Sequence, residues 1–324
     1  MKRITLTTKP AASYELIDSG REEKLERYGN VILARPDPQA LWEKRMPKEE
    51  WAKANGRYIR DGREGKWIEK GLPKEWQIEF GGLQFLIRPT SFKHTGLFPE
   101  QLSNWEWVTN LLHESNSSGV RESSAEDSLS SRAVALESPL QSSFVPSVLN
   151  LFGYTGGVTL ASAKADAQVT HVDASKMVVA WARENAEVSG LADKPIRWIV
   201  EDVLLFVERE IKRGKRYDGI IMDPPAFGHG PKNELWKIEE DFLKLMDLSG
   251  QLLSEKPLFF LINGYAAGYS PLAFVYNLEF LTKKFGLPAN GRGHGGTLEC
   301  GDLTIEESGS QRLLPCGIFA RWRA

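Results

Sequence analysis

Four short apolar runs in the second half of the chain each end near one polar side chain, and their spacing narrows the possible folds more than any other feature. The polar residues are Asn150, Asp173, Asp202 and Asp223, separated by 23, 29 and 21 residues. One buried strand and one helix fill about that length, so the pattern predicts a parallel sheet covered by helices. In such a sheet the strand ends share an edge, and ligands bind there. Structural caps would explain any one of the four residues, but not the set.

The first unit is the most explicit. Val148, Leu149, Leu151 and Phe152 form an apolar run, followed by the turn Gly153, Tyr154, Thr155, Gly156 and Gly157. Residues without a Cβ let the backbone bend and approach a ligand there. A helix over 158–165 and a strand over 168–172 then lead to Asp173, 20 residues after Gly153, where an acid can accept both hydroxyls of a ribose. The turn reads G-Y-T-G-G and lacks the G-x-G-x-x-G spacing, so a nucleoside without a pyrophosphate fits better than a dinucleotide. Downstream, the pattern predicts helices over 174–189 and 203–212 and strands over 196–200 and 217–222. A long helix over 235–253, a strand over 257–262, a helix over 274–285 and a glycine-rich turn at 290–296 come next. The chain closes with an antiparallel pair, 297–305 and 313–322.

Upstream, 14–35, 57–59, 66–68, 76–80 and 83–87 read as short strands separated by Ser19-Gly20, Asp61-Gly62, Gly71 and Gly81-Gly82, which are hairpin signals. Residues 1–90 therefore predict a small, mostly β N-terminal domain, with RNA binding as its candidate role. Trp42, Trp51, Trp67 and Trp76 suit its core better than they suit exposed stacking on bases. Residues 91–113 hold an aromatic, His- and Thr-containing segment and an amphipathic helix, with Pro99 in the first turn and Leu102, Trp105, Val108 and Leu112 at helical spacing. The serine-rich stretch 114–143 has no sustained period and reads as a disordered loop. Residues 144–324 complete the ligand-binding domain.

No apolar run reaches the roughly 18 residues of a membrane helix, and the start, M-K-R-I-T-L, lacks a secretory apolar segment. A cytoplasmic protein is expected. Cys300 and Cys316 form neither a disulfide framework nor a C-x-x-C metal pattern, so no metal is expected. Residues 1–100 hold 19 Lys and Arg against 15 Asp and Glu; this mild excess is compatible with nucleic-acid binding without requiring it.

The motifs N-L-F-G-Y-T-G-G, V-D-A-S-K-M-V-V-A-W-A-R-E-N-A-E-V-S-G-L and D-P-P-A-F-G-H-G make residues 90–324 resemble the class I S-adenosylmethionine (SAM)-dependent methyltransferases. In detail they are similar to the bacterial RlmI/RlmK-type branch of large-subunit rRNA methyltransferases. The resemblance implies an α/β, Rossmann-like sheet with a terminal antiparallel hairpin, SAM as cofactor and RNA, rRNA first, as partner. Residue by residue, it implies that Phe152, Gly153, Tyr154 and Thr155 line the methionine end of the cofactor, with Asn150 and Gly156 also among the cofactor-binding residues. Asp173 would hold the ribose with Ser175 and Met177 beside it, and Asp202 would bond the adenine amine with Val203 on the ring. Phe92, Thr95, Phe98 and Gln101 would close over the cofactor, and Asp223, Pro224 and Pro225 would frame the methyl-transfer site.

Transfer from a sulfonium is an in-line displacement, so alignment and exclusion of water dominate. The Asp223 carboxylate and the Pro224 carbonyl can accept hydrogen bonds from a planar amine, and Phe227 can stack on a base or plug the loop. Methylation at pyrimidine C5 would need a cysteine nucleophile, which RlmI-like enzymes place after strand five. Here 261–270 reads L-I-N-G-Y-A-A-G-Y-S. Transfer to nitrogen or oxygen is favoured, a base nitrogen of rRNA first. A methyltransferase for a small molecule or protein, a catalytically silent SAM-binding RNA module and a nicotinamide dehydrogenase are the competing readings. His229 reads as an exposed loop residue.

Overall fold

The computed structural model describes residues 1–61, 64–125, 144–265, 268–285 and 296–324. The first part forms β1 (Lys2–Thr8), β2 (Tyr14–Gly20), β3 (Glu23–Tyr28), β4 (Val31–Pro36), α1 (Lys48–Trp51), β5 (Gly56–Asp61), β6 (Glu64–Glu69), β7 (Trp76–Phe80) and β8 (Leu83–Ile87). A 3-10 turn at Pro99–Gln101 opens into α2 (Leu102–Ala125). The alternating half follows as β9 (Ser147–Leu151), α3 (Gly157–Lys164), β10 (Gln168–Asp173), α4 (Lys176–Val188), β11 (Ile196–Val200), α5 (Val203–Lys212) and β12 (Gly219–Met222). Then come β13 (Phe227–His229), β14 (Leu235–Lys237), α6 (Ile238–Gln251), β15 (Phe259–Gly264), α7 (Pro271–Val275), α8 (Glu279–Phe285), β16 (Thr297–Glu306) and β17 (Leu313–Arg323).

The central sheet runs β1-β16-β17-β15-β12-β9-β10-β11. Strands β9 to β12 and β15 are parallel, while β17 runs antiparallel to β15 and β16. The parallel strands are covered on both faces, which is why β12 and β15 are buried along their whole lengths. Strand order reverses between β9 and β12, and a crevice opens at their carboxyl ends. The glycine turn leaves β9 at that point and the Asp223-Pro224-Pro225 loop leaves β12, so this edge positions the candidate site.

The expected β-rich N-terminal part is present as the five-stranded sheet β2-β3-β4-β5-β6 and the hairpin β7-β8. Its boundary differs from the expected 1–90 lobe. Strand β1 pairs in parallel with β16 at the edge of the central sheet. The β8 hairpin docks on α4, where Leu86 N donates to Asn185 Oδ1 (2.9 Å) and the Trp181 indole donates to Leu86 O (2.9 Å). One apolar cluster joins Tyr14, Tyr28, Phe80 and Phe85 to Leu160, Ala186, Ile305 and Leu314. Trp51 is buried, and Trp42, Trp67 and Trp76 are partly buried against that cluster, each donating its indole N–H to backbone oxygen.

Two further differences are local. Helix α2 runs on to Ala125, twelve residues beyond the predicted end at His113 and into the stretch read as a disordered loop; serine does not stop a helix whose first turns are already packed on α3. Residues 126–143 lie outside those described, as do 290–295 of the predicted glycine-rich turn. Residues 235–237 form a strand, and α6 begins at Ile238, where Glu239, Glu240 and Asp241 fill the first turn.

Candidate active site

A cavity of about 660 Å³ lies at the carboxyl edge of the sheet, in the size range of small-ligand sites. Its floor holds Phe152, Tyr154, Asp173, Ser175, Asp202, Val203, Asp223, Pro224 and Pro225. Its roof comes from β3, β4 and the segment after β8, including Lys24, Arg35, Lys93, His94, Thr95 and Phe98. A smaller cavity of about 60 Å³ adjoins it, lined by Asn150, Gly153, Thr155, Gly156 and Gln101 among others.

The turn after β9 is built differently from a simple glycine bend. Its left-handed backbone falls on Phe152 (φ 58°) and Tyr154 (φ 47°), with Gly156 at φ 89°, and aromatic residues occupy that region only when their surroundings hold them there. Gly153 is required for close approach instead: a Cβ there would lie 2.4 Å from Cε1 of His171. His171 is fully buried and neutral, its pKa lowered to about 3 by burial. Asn150 donates to Thr159 Oγ1 (2.8 Å), which in turn meets His171 Nδ1 (2.9 Å). Asn150 therefore braces the turn from inside the strand and does not reach the main hollow.

Asp173 accepts from Tyr154 N (3.0 Å) through one oxygen and from Ser175 N (2.9 Å) through the other. Each oxygen keeps acceptor capacity beyond its one amide and Asp173 lines the cavity, which suits a pair of ribose hydroxyls. Burial raises its pKa, opposed by the two amides. Asp202 caps α5 by accepting from Leu205 N (3.0 Å), and Ser175 caps α4. Asp223 is pushed up to about 7, by burial first and by Glu100 second. Thr95 Oγ1 is buried beside the Tyr28 hydroxyl. The carboxylate acceptors of this cavity fit a polar nucleoside ligand.

Several expected residues stand elsewhere. Phe92 (77% exposed) and Met177 (82% exposed) do not line either cavity. Phe227 is exposed on β13 and packs edge-on against His229 at 5.1 Å. Gln101 donates to the Tyr265 hydroxyl (2.7 Å) and accepts from Asn104 (3.1 Å), so it positions Tyr265. Thr155 donates to Gly96 O, fastening the 91–101 segment to the glycine turn. Phe98 lies between Tyr154 and Tyr265, with ring centroids 5.3 Å from each.

Sequence reasoning missed Lys24, Arg35, Lys93, Glu100, Tyr265 and Cys316 as cavity residues. The register of β16 against β17 steps from Leu303↔Gly317 to Thr304↔Pro315, which leaves Cys316 as the extra residue of a bulge. Bulges re-aim side chains, and this one brings Cys316 to the cavity wall. Its thiol is pushed well above the ordinary range by burial and by Glu100.

No family model matches the chain. The crystal structure of a SAM-dependent methyltransferase from Agrobacterium tumefaciens aligns with 99% of this chain and 95% of its own length, at 34% identity and a TM-score of 0.81. The chain belongs to the SAM-dependent methyltransferases. A putative SAM-dependent methyltransferase from Streptococcus mutans shares the fold at TM-score 0.63 and 18% identity, covering 96% of this chain and 75% of the other. Among curated sequences, ribosomal RNA large subunit methyltransferase K of Neisseria meningitidis is 32% identical over 117 residues, 36% of this chain. A K/L relative from Pseudomonas paraeruginosa is 26% identical over 64% of the chain. The chain spans about a third of the first curated relative (33%) and less of the second (23%). As a SAM-dependent methyltransferase, the protein uses SAM as methyl donor. No helix among the described residues is long and apolar enough to cross a membrane.

Proposed function

We propose that this methyltransferase modifies a base of large-subunit ribosomal RNA, at a ring or exocyclic nitrogen. Asp223 carries this reading: a half-buried carboxylate at the end of β12 that lines the same cavity as Asp173 and Asp202, on the side where this reading puts the methyl acceptor. Asp173 would take the ribose hydroxyls, Asp202 and Val203 the adenine, and Tyr154 and Thr95 the neighbourhood of the methionine. The proline-fixed backbone of Pro224 and Pro225 holds the acceptor side rigid, and the roof from β3, β4 and 93–100 excludes water.

Nitrogen is favoured over pyrimidine C5 because the one thiol at the cavity, Cys316, is held protonated by burial and Glu100, while attack at C6 needs a thiolate. The RNA substrate is supported by the relatives named for large-subunit rRNA. Two measurements test the reading. Mass spectrometry of rRNA nucleosides from a deletion strain and its parent should show one missing methylated nucleoside; an unchanged profile removes the rRNA assignment. Asp223→Ala should lower turnover at least tenfold while calorimetric SAM affinity stays within twofold; equal loss of both would move Asp223 from the acceptor to the cofactor.

A further inference from the structure

The cavity holds a further acid, a buried one, that the proposed function leaves without a task. Glu100 lies on the 3-10 turn Pro99–Gln101, is 5% exposed, and lines the same cavity as Asp223, Tyr265 and Cys316. The other acids nearby are engaged. Glu26 is held by Arg35 at 2.6 Å, Asp37 meets Lys24 at 3.3 Å, and Asp173 and Asp202 accept backbone amides. Among the described residues, neither the Glu100 nor the Asp223 carboxylate has a hydrogen-bond or ion-pair partner on another residue. The charged groups that act on Glu100 are Lys24 and Glu26 from β3, Arg35 from β4 and Asp223 after β12, and both cations are already turned to Glu26.

A buried carboxylate without a donor is unfavourable until something supplies one. Glu100, buried, and Asp223, half-buried, line one cavity without a donor on another residue, and two such carboxylates match an amine that carries N–H groups. Resting on the nitrogen-transfer reading, we propose that Glu100 is a second acceptor-side carboxylate: with Asp223 it takes hydrogen bonds from the amine being methylated and removes the proton that amine sheds. Gripping the N–H groups from one side leaves the nitrogen lone pair facing the methyl. The lone pair forms the N–C bond as the C–S bond breaks, its electrons remain on sulfur, and the surplus N–H proton passes to Glu100. Solvent takes that proton when product leaves.

Sinefungin tests this without RNA, because its ammonium replaces the S-methyl group and S-adenosylhomocysteine has nothing there. Both ligands are titrated by calorimetry into the wild type, Glu100→Gln and Glu100→Asp. Glu100→Gln should lose about tenfold in sinefungin affinity, the scale of one charge-assisted hydrogen bond, with S-adenosylhomocysteine within twofold; Glu100→Asp should keep part of the preference. An unchanged ratio of the two affinities overturns the proposal, and so does a parallel loss of both, which would make Glu100 a support of the fold. Should the expected ratio appear while wild type fails to methylate rRNA from the deletion strain, Glu100 keeps its place and the rRNA reading falls.

Discussion

Replacing Gly153 by alanine should damage the cavity through one identifiable collision. The new Cβ would sit 2.4 Å from Cε1, 2.5 Å from Nδ1 and 3.0 Å from Nε2 of His171. That ring has nowhere to go. It is fully buried, Thr159 holds its Nδ1 at 2.9 Å, and Trp198 packs on it at 4.9 Å between centroids. Overpacking of this kind costs about 1–3 kcal/mol, and losing the Thr159 hydrogen bond adds about 1 kcal/mol, for a total of about 2–4 kcal/mol. With an unfolding entropy of about 2.1 cal/mol/K per residue over 324 residues, the melting temperature should drop by about 3–6 °C. S-adenosylhomocysteine should also bind more weakly, because Phe152 and Tyr154 flank the displaced residue. Gly190→Ala is the control: φ is +69° but no atom lies within 4 Å, so the cost is the left-handed penalty of about 1–2 kcal/mol with ligand affinity unchanged. In a Gly153→Ala, His171→Ala cycle the double variant should be more stable than the sum of the single costs by at least about 1 kcal/mol. If Gly153→Ala melts within 1 °C of wild type and binds ligand normally, the steric account is wrong.

Asp173→Ala removes the acceptor of two backbone amides as well as the proposed ribose partner, so S-adenosylhomocysteine affinity should fall at least about tenfold by calorimetry; near-normal affinity would place the ribose elsewhere. Glu26→Gln leaves the buried Arg35 guanidinium without its counter-charge and should cost about 3–5 kcal/mol in denaturant unfolding. The Glu26 carboxyl is held far below its usual range in the fold, mainly by Arg35 and Lys24 against the opposing effect of burial, so its contribution is present above the unfolded pKa and vanishes as the solution is acidified. Wild type should therefore lose stability more steeply than Glu26→Gln below about pH 4.5. Asp223 has the opposite sign. Its folded pKa of about 7 lies above the unfolded value, so ionising it between about pH 4 and pH 7 weakens the fold, and Asp223→Asn should flatten that part of the stability profile.

The parallel half was legible because every strand there is short, apolar and followed by a polar end, a signal local to each unit. Ser175 and Asp202 were legible for a second reason: residues that cap helices are the residues that line this kind of crevice. Strand β1 was hidden because its partner β16 lies nearly 300 residues away and an edge strand of K-R-I-T-L-T-T carries no periodicity that names a partner. The β13-β14 pair spans three residues a side, too few for alternation to register. Glycine spacing pointed to the turn after β9 but not to its strained residues, since no composition rule marks an aromatic side chain held at positive φ. Cys316 was invisible as a cavity residue because one inserted residue in a strand reverses which face the next side chain takes, and that insertion exists only in the pairing of β17 with β16.

The N-terminal strands bear on the chemistry through the segment they hold over the cavity. Arg35 donates to Lys93 O (3.0 Å), the Trp67 indole donates to Thr90 O (2.9 Å), and Tyr58 OH donates to Ser91 O. The 90–93 stretch thus hangs from the five-stranded sheet, while Thr155 fastens Gly96 to the glycine turn. Glu100 and Phe98 sit on the span after these two anchors, so their placement beside Asp223 and Tyr154 depends on both halves at once. The buried Glu26–Arg35 pair is one link in that chain: removing Glu26 frees Arg35 from one partner and loosens its hold on Lys93 O. A protein whose N-terminal sheet served only to touch RNA would need no such contact with the cover of its own cavity, and this connection explains why the Glu26–Arg35 pair in the roof should be felt in ligand affinity.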